Sequence, residues 1–200
     1  GGRPSSKKKR IFILGGSTTT PYFEGNWPRA LSAIFKKKRI PAILYNGGVN
    51  GYSTNQELLK LIRDVLPLKP DIVISVNGIN DLGFMHSIRK HPMIHPYTNF
   101  FLQTLLKNPL RAKQKGDTIR DVHYGTVVSV TPPEQWERNL RIIKTITEEF
   151  SIQYFCFLQP TLGVGSYIPS EQENQSLREY NHERGGKYLQ NLEAFYHAAI

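Results

Sequence analysis

The chain has 200 residues, 39% hydrophobic and 11% aromatic, which suits one globular domain with a single substantial core. Lys and Arg total 26 against 16 Asp and Glu, a formal charge of +10, with clusters at Lys7 to Arg10, Lys36 to Arg39, and Arg111, Lys113 and Lys115. Such a surface can meet nucleic acid, an anionic membrane face or an acidic polysaccharide, and charge alone does not choose among them. A single cysteine, Cys156, excludes an intramolecular disulfide, and no apolar run approaches the roughly 20 residues of a transmembrane helix.

Residues 1–10 read as a basic N-terminal segment. Gly1 and Gly2 have the look of a tag remnant, and Lys7 to Arg10 that of a juxtamembrane flank, so a soluble domain held near a membrane or in a cell envelope is one expectation. Ile11 to Leu14 is the first continuous apolar run and predicts a strand covered on both faces. A short helix is expected from about Trp27 to Phe35, then a second strand from Ala42 to Tyr45. Ser53 with Gln56 has the spacing of a capping box and opens a helix with Leu58, Leu59, Ile62, Val65 and Leu66 as its apolar stripe, closed by Pro67 and Pro70.

Ile72 to Val76 predicts a third strand. The stretch 84–130 breaks the rhythm: it carries four of the six histidines and a basic run, and reads as an insertion or lid. Thr131 with Glu134 forms a second capping box, Pro132 suits the first helical position, and Trp136, Leu140, Ile143 and Phe150 recur at helical spacing. A fourth strand, Ile152 to Leu158, holds Cys156 between two phenylalanines as a core thiol, and a long helix follows from about Glu171 to Tyr196. Strands alternating with helices imply right-handed crossovers and a parallel sheet, hence the α/β class.

In an open parallel sheet ligands gather beyond the carboxyl ends of the strands. Three loops should meet there: Gly15-Gly16-Ser17-Thr18-Thr19, Asn46-Gly47-Gly48-Val49-Asn50-Gly51, and Asn77-Gly78-Ile79-Asn80-Asp81. Together they offer a hydroxyl, glycines that let backbone N–H groups approach a ligand, and a side-chain amide, which are the parts of acyl transfer. The alternatives are poor matches, because no GxGxxG follows the first strand, no lysine follows the glycines as in a P-loop, and the lipase GxSxG is absent.

With these blocks the chain resembles the SGNH, or GDSL, hydrolases. Ile13-Leu14-Gly15-Gly16-Ser17 is similar to the family's first block, with Gly16 where the name would place Asp; residues 46–53 match the second, and Gly78-Ile79-Asn80-Asp81 matches GxND. The resemblance implies a three-layer α/β/α, flavodoxin-like fold with a mostly parallel sheet over residues 11–200. It implies Ser17 as nucleophile, the N–H groups of Ser17 and Gly51 with the Asn80 amide as the oxyanion hole, Gly48 as second choice to Gly51, and Asp81 as a structural support of its loop. No metal or organic cofactor is required.

The family draws its base from a late DxxH, and none occurs here. The substitutes are His182, three residues after Glu179, and His123 in Asp121-Val122-His123, which resembles the DxH of some polysaccharide O-acetyltransferases. One expectation is therefore that the last βα unit of the fold is lacking, which would leave an apolar sheet edge open to homodimerisation. The implied function is a serine esterase or deacylase acting on an acyl ester of a carbohydrate or lipid. The alternatives are O-acyl transfer to a glycan and an inactive SGNH-like binding module; nucleic acid is the weakest partner.

Overall fold

The computed structural model describes residues 8–22, 24–82, 131–183 and 186–199. The expected insertion at 84–130, with His123, lies outside them, as does Lys7. Among the described residues four strands form one parallel sheet: β1 (Lys9–Gly15), β2 (Ala42–Asn46), β3 (Ile72–Asn77) and β4 (Gln153–Leu158), in the order β2-β1-β3-β4. Five helices accompany them: α1 (Trp27–Lys37), α2 (Thr54–Lys60), α3 (Pro132–Glu149), α4 (Glu171–Glu183) and α5 (Tyr188–Ala199).

The strand order places a switch point at β1. The chain leaves β1 outward to β2, then crosses back over it to β3, and right-handed crossovers put α1 and α2 on opposite faces. This is the three-layer α/β arrangement read from the sequence. On one face Phe12, Leu14 and Val73 pack with Leu61 and Val65 beyond α2 and with Ile143 of α3, all buried. Fully burying one such side chain contributes about 1.5–3 kcal/mol. Ile143→Ala should cost about 2–5 kcal/mol of unfolding free energy, measured by urea titration, since Ile143 is wholly buried at this junction.

Both capping boxes form: Ser53 with Gln56, and Thr131 with Glu134, open α2 and α3. Three expectations need correction. The apolar stripe after Ser53 is Leu58, Leu61, Val65 and Leu66, while Leu59 and Ile62 are about half exposed, because the helix widens to a π turn at Leu61–Val65 and shifts the face. The helix expected from Glu171 to Tyr196 is two helices; Gly186, at φ 77°, sits in the left-handed region between them. Finally, continuous apolar runs suggest strands covered on both faces, yet β2 and β4, the two edge strands among the described residues, are not: Ile43 and Tyr45 are 40% and 41% exposed, Phe155 and Phe157 48% and 54%.

Candidate active site

The three glycine-rich loops do converge at the carboxyl end of the sheet. Asn46, the last residue of β2, accepts from the Gly48 N–H at 2.9 Å and donates to the Thr19 carbonyl at 2.7 Å, tying the second loop to the first. Trp27 at the start of α1 donates to the Thr19 hydroxyl at 3.2 Å. The third loop joins through Asn80, whose amide Nδ2 donates to the Tyr52 carbonyl at 2.8 Å. The fourth strand arrives as well, with the Thr18 hydroxyl 3.2 Å from Gln159 Oε1.

Ser17 follows Gly16 in a tight turn closed by Thr19 and Thr20 N–H bonds to the Gly16 carbonyl, and it is exposed. Among the described residues no hydrogen bond engages its hydroxyl or its N–H. The Gly51 N–H is likewise uncommitted among them, whereas the Gly48 N–H is taken by Asn46. Gly51 has φ 76°, a conformation that only glycine adopts cheaply. Gly48 serves packing instead, since a Cβ there would lie 2.7 Å from the Thr19 backbone carbon.

Gly16 has a steric reason to be glycine. A Cβ at this position would stand 2.4 Å from Asn80 Nδ2 and 3.2 Å from the Tyr52 carbonyl oxygen. Any side chain must displace the Asn80 amide, so Gly16→Ala should break the Asn80–Tyr52 bond and lower the unfolding midpoint, measured by thermal unfolding.

Below the loops lies a buried polar network. Asp81 Oδ1 accepts from both the N–H (3.0 Å) and the hydroxyl (2.5 Å) of Thr54, and Asn139 donates to Thr54 at 2.9 Å. Asn77 donates to Glu57 Oε2 at 2.9 Å and accepts from Trp136 Nε1 at 2.8 Å. Gln135 and Asn139 both donate to Asn55. Glu57 and Asp81 are wholly buried, and each leaves one carboxylate oxygen without a partner among the described residues. Burial raises Glu57 to about 8, partly offset by the Asn77 bond, with the neighbouring Asp81 adding to the rise; burial raises Asp81 to about 6, offset by its Thr54 and backbone bonds. Asp81 therefore stands as a brace between the third loop and α2.

His182 lies exposed in the last turn of α4, and the Glu179 carboxylate accepts from Gln175 at 2.9 Å; no Glu179–His182 pair forms among the described residues. A different pair exists on α5: His197 Nε2 lies 3.9 Å from Glu193 Oε1. Both line a cleft of about 830 Å³ between the 160–167 loop and α5, whose wall includes Leu162, Val164, Tyr167 and Tyr196. Tyr196 is fixed by bonds to Thr161 and to the Gln159 carbonyl. Glu193 stands four residues before His197, the helical spacing, whereas the DxxH spacing places its carboxylate three before, at Ala194 here.

No family model and no curated protein matches the sequence. Among solved structures the chain is similar to TesA, at 13% identity and TM-score 0.46 over 92% of this chain and 76% of that one. It is also similar to LAE5, an alpha/beta hydrolase enzyme from the metagenome of Lake Arreo, at 18% and 0.48 over 90% and 75%. A third is Axe2, an acetylxylan esterase from Geobacillus stearothermophilus, at 14% and 0.38 over 74% and 75%. These are remote likenesses.

Proposed function

We propose that the chain is an SGNH-type serine hydrolase that cleaves an acyl ester of a carbohydrate or lipid. What supports the reading is the meeting, at the β1/β3 switch point, of the three loops that carry Ser17, Gly51 and Asn80, with the Asn80 amide braced over Gly16 and, among the described residues, no hydrogen bond on the Ser17 hydroxyl or on the Ser17 and Gly51 N–H groups. Ser17 Oγ attacks the ester carbonyl carbon while its proton passes to a histidine. The carbonyl oxygen becomes an oxyanion held by the two N–H groups and the free Asn80 N–H. The C–O bond to the alcohol breaks, the alcohol leaves with the proton, and water then hydrolyses the acyl-serine. A sugar hydroxyl in place of that water would make the same site an O-acyltransferase.

His123 and His182 are the base candidates read from the sequence, and the cleft beside Gln159 suits the acyl or alcohol part of the ester. Incubation with a fluorophosphonate should phosphonylate Ser17, and Ser17→Ala should take no label; a labelled alanine variant, or an unlabelled parent with no esterase activity, would sink the proposal. A second reading, a glycan-binding module with a silent serine, is favoured by one observation: among the described residues no carboxylate–histidine pair engages Ser17. It predicts glycan binding that survives Ser17→Ala.

A further inference from the structure

The end of the sheet away from Ser17 carries a basic surface built by three separate segments. Because the strands are parallel, their starts lie together: the Lys9 N–H donates to the Pro41 carbonyl ahead of β2, and the Asp71 N–H donates to the Arg10 carbonyl ahead of β3. This brings Lys8, the α1 end with Lys36, Lys37, Lys38 and Arg39, and Lys69 to one end of the molecule. All are exposed, and none forms an ion pair among the described residues. Among the described residues the carboxylates near this end are Asp71, engaged by Lys9 and Arg10, Asp64, engaged by Lys60 and Arg63, and Glu148 and Glu149 at the β4 corner, Glu148 facing Lys144; the described β2-β1-β3 side is left cationic.

One feature separates this surface from a run of solvated lysines and arginines. Apolar side chains stand exposed among them: Ile40 next to Arg39, and Leu68 next to Lys69, at 41% and 53%. Nucleic acid and soluble polyanions reward the cations alone, whereas a bilayer of anionic lipid rewards cations and inserted apolar side chains together.

We infer that this end of the domain docks on an anionic lipid bilayer, with Ile40 and Leu68 entering the headgroup layer and the Ser17 edge of the sheet turned away from the membrane. The docking goes beyond the hydrolase reading and stands without it, since no residue of the Ser17 site takes part.

Flotation of the chain with phosphatidylcholine vesicles, with and without phosphatidylserine, tests it. Binding is expected only with phosphatidylserine and should fall steeply with salt. The triple variant Lys36→Glu, Lys38→Glu, Lys69→Glu should weaken binding roughly a hundredfold. Lys8→Glu with Lys37→Glu reads the same surface if the triple variant fails to fold. The decisive variant is Ile40→Ser with Leu68→Ser, which should weaken vesicle binding while leaving retention on heparin unchanged. Equal binding to neutral vesicles, indifference to the charge reversals, or tighter binding to duplex DNA than to anionic vesicles at the same salt would overturn the inference.

Discussion

Asn80→Ala is expected to lower ester turnover, or the rate of fluorophosphonate labelling, by about 100- to 1,000-fold with KM nearly unchanged. The amide spends one N–H on the Tyr52 carbonyl, and that bond aims the other. A donor placed for an oxyanion meets little charge on the ground-state carbonyl, so its loss appears in kcat and amounts to about 2.7–4 kcal/mol of barrier. The cost to folding should be near 1 kcal/mol, the usual net worth of one such bond. Asn80→Asp keeps the shape but removes both donors and adds a charge beside Asp81, so it should be as inactive as the alanine variant. If Asn80→Ala keeps parental rates, the amide is a loop brace only and the oxyanion assignment is wrong.

Glu57→Gln should flatten the pH dependence of stability. Glu57 is wholly buried, and its acidity is shifted from the ordinary 4.5 up to about 8. The unfolded chain releases this proton near its ordinary value while the folded chain holds it. The associated stability is therefore complete below about pH 4.5 and is lost as pH rises through 8, a span worth at most about 5 kcal/mol. Asp81, raised to about 6, acts in the same direction over a lower window. The glutamine keeps an acceptor for Asn77 and carries no charge, so relative to the parent it should gain several kcal/mol between pH 5 and pH 8 in urea unfolding. Equal parental stability at both pH values, with the variant weaker at both, would show that the carboxyl is ionised and compensated in the fold.

The two predictions draw on different sources of information. Ser17, Gly51 and Asn80 were legible through their places in three strand-end blocks that resemble the SGNH family, blocks built from the short residues that tight turns favour. Glu57 was not. In the sequence it is one polar position in the first turn after a capping box, no different from a solvated glutamate, and only the packing of α2 against β3 and α3 encloses it with Asn77 and Trp136. The same applies to Gln135 and Asn139, polar positions on a helix whose partner in Asn55 is some 80 residues away in the chain.

By itself the sequence determined the parallel α/β order, both capped helix starts and the loops that carry the candidate site, because hydrophobic period, caps and glycines act over a few residues. Tertiary structure alone decided which glycine keeps an N–H uncommitted among the described residues, since the Gly48 donor is consumed by Asn46. It also decided why position 16 carries no side chain, since the Asn80 amide occupies that space, and it gathered scattered lysines at one end of the sheet. Each of these depends on where strands of distant sequence end relative to one another, and that register is set by the packing of the sheet rather than by any local stretch of the chain.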